Sequence, residues 1–200
     1  LGAIVLKEIQ SKNASQEKVT EVLLEELEVL GLDVLNWSNQ AKTLRHRVNF
    51  ARHHTQEHNI DFPDFSESYL LDHIDLWLAP YMSDMRTLKA LKSLNLHNIL
   101  LGLLSFEQNQ ALDRLVPGKL KVASGSHIAI DYSDQKQAVL AVRLQEMFGT
   151  KSTPTVLNGK VKLMIHLLSP ASRPMQVTQD LESFWENTCL LYTSDAADDM

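Results

Sequence analysis

At Pro117-Gly118 the chain changes its period. Before it, apolar residues recur at the three-and-four spacing that puts them on one side of a helix; after it, they alternate in twos, as on the face of a sheet. A chain that keeps its helices and strands in separate blocks cannot build a βαβ unit across the whole molecule. The expected fold is therefore α+β: an N-terminal helical bundle over 13–118, then a small mixed β-rich unit with two helices over 119–188.

In the helical block, Ser15 is placed to cap a helix carrying Val19, Val22, Leu23, Leu27 and Leu30, which Gly31 ends. Its glutamates, Glu17, Glu21, Glu25, Glu26 and Glu28, are either an acidic binding face or a solvated one. Ser38 opens a second helix with Ala41, Leu44, Val48 and Ala51 inward. Off that stripe lie Arg45, His46, Arg47 and Arg52, placed either to meet phosphate or to pair with nearby acids. After the Asp61-Phe62-Pro63-Asp64 turn, one helix places Leu70, Leu71, Ile74, Trp77 and Leu78 inward. Trp77 on that stripe is a core residue, with base stacking as the alternative. Further short helices carry Met85 to Leu91, Leu96 to Leu103 and Phe106 to Leu115, giving five or six members without a repeat period.

In the strand block, Leu120 and Val122 oppose Lys119, Lys121 and Ala123, Ser124-Gly125 turns the chain, and Ile128, Ile130 and Tyr132 line the returning strand. Leu140, Leu144 and Phe148, four apart and stopped by Gly149, favour a helix for the latter part of Val139 to Phe148. Asn158-Gly159 signals a hairpin, after which Val161, Leu163, Ile165 and Leu167 form a core face. Asp180 caps a closing helix that Leu181, Phe184 and Trp185 pack onto the sheet. Arg173, between Pro170 and Pro174, is expected to hold Asp180 or a backbone carbonyl.

Composition limits the chemistry. The chain has 200 residues, 44% of them hydrophobic and 22% charged, the proportions of a soluble globular protein. No apolar run reaches the ~18–20 residues of a membrane helix, so no membrane partner is expected. The single cysteine, Cys189, excludes an internal disulfide and fits a reducing, cytoplasmic compartment. The net charge of −6 is uneven: residues 1–118 hold 11 Lys+Arg against 16 Asp+Glu, and residues 119–188 hold 8 against 6. That small basic excess does not by itself imply nucleic acid. Neither Gly118-Lys119 nor Gly159-Lys160 has a glycine five residues earlier or a following Ser/Thr, so no phosphate-binding loop is present, and no Asp-Glu-x-His occurs. His54-Thr55-Gln56-Glu57-His58 matches the inverted zinc-hydrolase pattern, which needs both imidazoles on a buried helix with Glu57 as base. Here it falls at a polar helix end, so no metal site is expected.

Two runs carry a resemblance: Leu140 to Gly149 (LAVRLQEMFG) and His166 to Thr188 (HLLSPASRPMQVTQDLESFWENT). They resemble the C-terminal region of the bacterial DEAH-box RNA helicases of the HrpB family. LGAIVLKE (Leu1 to Glu8), DFPDFS (Asp61 to Ser66) and LDRLVP (Leu112 to Pro117) extend it more weakly. The resemblance implies a severed accessory region: residues 1–12 close a preceding small β-barrel, and the motor domains of the same chain are the partner. ATP and magnesium belong to the parent enzyme, with no cofactor and no catalysis in this region. Single-stranded RNA is the implied ligand, and Lys119, Lys121, Arg143, Lys160, Lys162 and His166 are the contact candidates, beside Lys151 and Arg173 in the same block; read from the residues alone, this row either tracks a phosphate backbone or is a solvated sheet face. The alternative is a protein-docking module that touches no RNA. The resemblance ends at Thr188, where the family continues with tyrosine and a basic stretch. Residues 189–200 resemble instead the translation of a transposon-end sequencing adapter, expected to be a disordered tail.

Overall fold

In the computed structural model, residues 15–55 and 60–194 are described, the last seven of them by backbone alone; the strand expected over 1–12 lies outside these. Helix α1 (Gln16–Leu30) starts on Ser15, whose hydroxyl accepts from the Lys18 N–H, and ends at Gly31 with φ of 81°. Leu23 and Leu27 are buried, but Val22 and Leu30, expected inward, are exposed: the buried stripe is narrower than the apolar one.

Helix α2 (Asn39–His54), capped by Ser38, is the post of the helical half. It buries Ala41, Leu44, Val48, Asn49, Phe50 and Ala51. Around it lie α3 (Glu67–Asp72), α4 (Ile74–Trp77), α5 (Leu88–Leu91), α6 (Leu96–Gly102) and α7 (Phe106–Leu115), of which α6 and α7 pack directly on α2. The single helix expected through Leu70 and Leu78 is broken at His73. There φ is −122°, and the imidazole stacks on Tyr69 at 4.0 Å with Nδ1 2.9 Å from the Tyr69 carbonyl. Trp77 is buried and donates its indole N–H to the Leu70 carbonyl at 2.7 Å, a core role.

Past Gly118 come β1 (Lys119–Lys121) and β2 (His127–Ala129), an antiparallel pair, then β3 (Val139–Arg143). The helix favoured for the latter part of Val139 to Phe148 is a single short turn that ends before Phe148. Leu140 and Val142 alternate into the core as strand, and only Leu144–Met147 coils, as one 3₁₀ turn. The period of two prevailed because β3 has a partner along its whole length: it pairs parallel with β6 (Met164–Leu168), Val139 opposite Met164 and Arg143 opposite Leu168. Between them β4 (Thr155–Val156) and β5 (Val161–Lys162) form a short antiparallel hairpin. Its connection is four residues, not a bare Asn-Gly turn, with Leu157 and Asn158 both at positive φ. Leu157 is held there by its buried side chain and by its N–H, which donates to the Leu115 carbonyl at 2.8 Å.

Strand β7 (Pro174–Thr178) runs antiparallel on the other side of β6, giving the order β3-β6-β7, and α8 (Leu181–Ser194) closes the described chain. The β unit's two helices are thus one α-helix and one 3₁₀ turn. The backbone of α8 passes the boundary expected at Thr188 and continues to Ser194. Helices precede strands, so the fold is α+β. One hydrophobic core spans both blocks from Leu23 to Leu181. The junction is tied by Tyr132, whose hydroxyl donates to the Pro117 carbonyl at 2.8 Å and whose ring lies 4.9 Å from that of Phe50. Among the described residues no helix is long and apolar enough to cross a membrane.

Candidate nucleic-acid interface

Strand alternation fixes where each basic candidate points. Lys119 and Lys121 stand exposed on the outer side of β1, opposite Ala129 and His127. Lys162 is exposed on β5 opposite Thr155, and Lys160 sits in the loop before it. Arg143 and His166 lie on the side of the three-stranded sheet turned from the core: His166 is opposite Ala141 on one neighbour and Val177 on the other. Five of the six candidates therefore lie on three separate ladders, with Lys160 in the loop before one of them, rather than in one continuous row.

The neighbours of Arg143 and His166 are apolar. Val139, Ala141, Met164, Leu168 and Val177 share their face, with Met175 the extra residue where the β6–β7 register shifts. Val177 is 51% exposed and Met175 57% exposed. A two-sided sheet normally presents alternating polar residues to water, and this face does not.

The arginines of α2, which the sequence offers to phosphate, are turned inward to backbone. Arg45 donates Nε–H to the Phe65 carbonyl at 2.9 Å, with Glu67 at 3.6 Å and the Trp37 ring beneath its guanidinium at 5.1 Å. Arg47 bonds the Val116 carbonyl at 2.7 Å, the Leu112 carbonyl at 3.3 Å and Asp113 at 2.8 Å. Arg52 bonds the Phe62 carbonyl at 2.8 Å, with Asp61 and Asp64 each at 3.7 Å. Burial, and next the charge of Arg45, lower the affinity of His46 for a proton. By contrast, the side chains of Lys119, Lys121, Arg143 and Lys151 have no hydrogen-bond or ion-pair partner among the described residues.

Arg173 does not hold Asp180. The Asp180 carboxylate accepts from the Ser183 N–H at 3.0 Å and the Ser183 hydroxyl at 2.8 Å, and these bonds keep its pKa low, with a smaller contribution from Lys162. His54 packs its ring 4.4 Å from Phe50, its Nε2 buried and without a hydrogen-bond partner among the described residues, and burial lowers its pKa. Glu57 and His58 lie outside the described residues, and among those described no three His, Cys, Asp or Glu gather as metal ligands.

Sequence reasoning missed Phe148. Counted only for its spacing in a helix, it is 60% exposed, its ring 5.9 Å from that of Trp185, which meets Phe184 at 5.0 Å. The signal was Gly149: at φ +88° it turns the chain directly after Phe148, so no helix is there to carry the ring inward.

Helices first, strands after and one shared core define an α+β module in which neither Gly-Lys pair carries the residues of a phosphate-binding loop. The chain belongs to the family of ATP-dependent helicase C-terminal domains (HrpB_C), whose model matches residues 77–195. That match runs past Thr188, where the resemblance was expected to stop. The chain is 38% identical over 186 residues to the ATP-dependent RNA helicase HrpB of Escherichia coli (strain K12), covering 93% of this chain and 23% of that protein. It is also similar to two solved structures. One is the E. coli DExH-box NTPase HrpB, with a TM-score of 0.82 at 36% identity over 94% of this chain and 23% of that one. The other is the E. coli DEAH/RHA helicase HrpB, with a TM-score of 0.75 at 37% identity over 88% and 22%. The chain thus spans about a quarter of the length of these relatives.

Proposed function

We propose that this chain is the C-terminal accessory region of an HrpB-like ATP-dependent RNA helicase, acting in the cytoplasm, which packs against the motor domains of that helicase and contacts single-stranded RNA. The observation that carries the packing is the apolar outer face of the β3-β6-β7 sheet, open at Val177 and Met175. An apolar face of this kind on a small module is a docking surface. The occupant is the rest of the helicase, because the relatives are about four times as long as this chain. RNA contact rests on the exposed Lys119 and Lys121 of β1 and on Lys160 and Lys162 of the second hairpin, a backbone-tracking and sequence-independent chemistry. ATP and magnesium are assigned to the motor. Here Gly118-Lys119 leads into β1 and Gly159-Lys160 into β5, so neither offers the helix N-terminus that a phosphate cradle uses, and no step is routed through them.

One observation favours the reading without RNA. Arg143 and His166 sit inside the apolar sheet face, where a protein surface suits them better than phosphate does.

Hydrogen exchange tests the packing. In the full-length helicase bearing this region, residues 174–178 are expected to be protected relative to a Val177→Lys, Met175→Lys variant, and that variant to be cut more readily between motor and accessory region. Equal exchange and equal cleavage in both proteins would sink the packing reading.

A further inference from the structure

Phe148 is an aromatic side chain that the fold holds out. The 3₁₀ turn Leu144–Met147 delivers it, Gly149 turns the chain away at φ +88°, and the Thr150 N–H closes back on the Met147 carbonyl at 2.9 Å. Behind it Trp185 is fixed by its indole N–H, which donates to the Thr150 carbonyl at 2.9 Å, and Phe184 meets Trp185 edge-on at 64°. The Phe148 ring is therefore backed by Trp185, with centroids 5.9 Å apart. Cations without partners among the described residues flank it in the chain, Arg143 before the 3₁₀ turn and Lys151 after the glycine. The β1–β2 tip is joined to the same turn by the Ser124 N–H, which donates to the Glu146 carbonyl at 3.3 Å, bringing the Lys121–His127 pair to this side of the molecule.

The other exposed aromatic side chains lack this setting. Phe106 at the start of α7 and Tyr81 at the end of the 3₁₀ turn Ala79–Tyr81 are exposed with no ring contact among the described residues, and Tyr69 is already stacked on His73 between Glu67 and Asp72.

Resting on the RNA-contact reading above, we infer that Phe148, backed by Trp185, is a stacking platform for one base of a single-stranded nucleic acid, with Lys121 and Lys151 meeting the adjoining phosphates. Stacking on an aromatic side chain tolerates any base, since every base has a π-face. Glu146, Glu182 and Glu186 also stand near these rings in the chain, so the site is close to charge-balanced. Its affinity rests on the ring, with a shallow salt dependence.

The test uses the whole chain, with a labelled short oligoadenylate and an abasic strand of equal length, followed by fluorescence anisotropy across a salt series. Oligoadenylate is expected to bind the tighter. Phe148→Ala is expected to weaken it roughly tenfold without changing the salt slope, and Phe148→Tyr to bind as the unaltered chain does. Lys121→Ala and Lys151→Ala each flatten the slope by about 0.7. A Trp185→Leu variant, checked with Phe148→Ala for an unchanged thermal midpoint, is expected to weaken binding through the lost buttress. Oligoadenylate binding indifferent to Phe148, or matched by the abasic strand, overturns the platform while leaving RNA contact in place. Binding to neither strand overturns the platform and the RNA reading together. A Phe148→Ala chain that keeps its RNA affinity but loses its grip on the motor domains makes the ring a protein contact and overturns the platform.

Discussion

Arg47 shows how a surface-looking cation can become a structural one. Its side chain is 13% exposed, and its three bonds hold α2 to the end of α7. Removing it strands the Val116 carbonyl, while the Leu112 carbonyl keeps the Val116 N–H at 2.9 Å; its acidic partner Asp113 is 79% exposed and adds little. Arg47→Ala is expected to cost about 1–3 kcal/mol in urea unfolding and Asp113→Ala less than about 1 kcal/mol. Equal costs for the two would mean that the ion pair, and not the carbonyls, matters. None of this was legible in the sequence. Arg47 and its acceptors are 65 to 69 positions apart, and a basic residue off an apolar stripe reads as solvated. His54 has a second consequence at this scale. Burial lowers its pKa from the ordinary 6.5, and the charge of His53 lowers it further, against the weaker pull of the Gln135 and Lys136 carbonyls. The unfolded chain then binds the proton more readily than the folded one, so stability is present above about pH 6.5 and is lost as pH falls through the folded value. The thermal midpoint is expected to drop on acidification across that window, and less so in His54→Phe, which keeps the ring against Phe50. An unchanged pH profile in that variant would assign the drop elsewhere, His46 being the next candidate.

At the scale of elements, caps and turns were the most readable signals. Ser15 and Ser38, expected as caps, bond the N–H three residues on, as Ser66 does; Ser105, which was not singled out, does the same and closes a full capping box with Gln108. Such bonds are local, so the sequence holds both partners. Where the partner is distant, the spacing could not decide. Leu140, Leu144 and Phe148 satisfy a helical spacing, and only the parallel strand Met164–Leu168 decides for β3. The break at His73 was missed for another reason: an imidazole bonded to a carbonyl four residues back competes with the helix through a side chain that apolar periodicity ignores. In the candidate site, the exposure of the basic residues could be read from alternation, but their division among three ladders could not. That depends on which strands pair, and period alone does not say.

At the scale of the whole molecule, the change of period at Gly118 predicted two blocks in the right order, but not that they share a core. The bonds that join them run from Leu157 to Leu115 and from Tyr132 to Pro117, contacts of backbone carbonyls that no pattern of apolar residues announces. The parallel alignment of β3 and β6 carries a further consequence. Two strands pointing the same way cannot be joined by a tight turn, so residues 144–163 must travel back along the sheet before β6 can begin. That excursion bears Phe148 and the β4–β5 hairpin, and it is tied to the rest at Leu157 and Thr150 rather than by continuity alone. A chain severed between Asn158 and Gly159 is therefore expected to stay in one piece on a sizing column, its halves clasped like interlocked fingers. Halves that drift apart would show that the covalent link, not the seam between them, keeps the molecule whole.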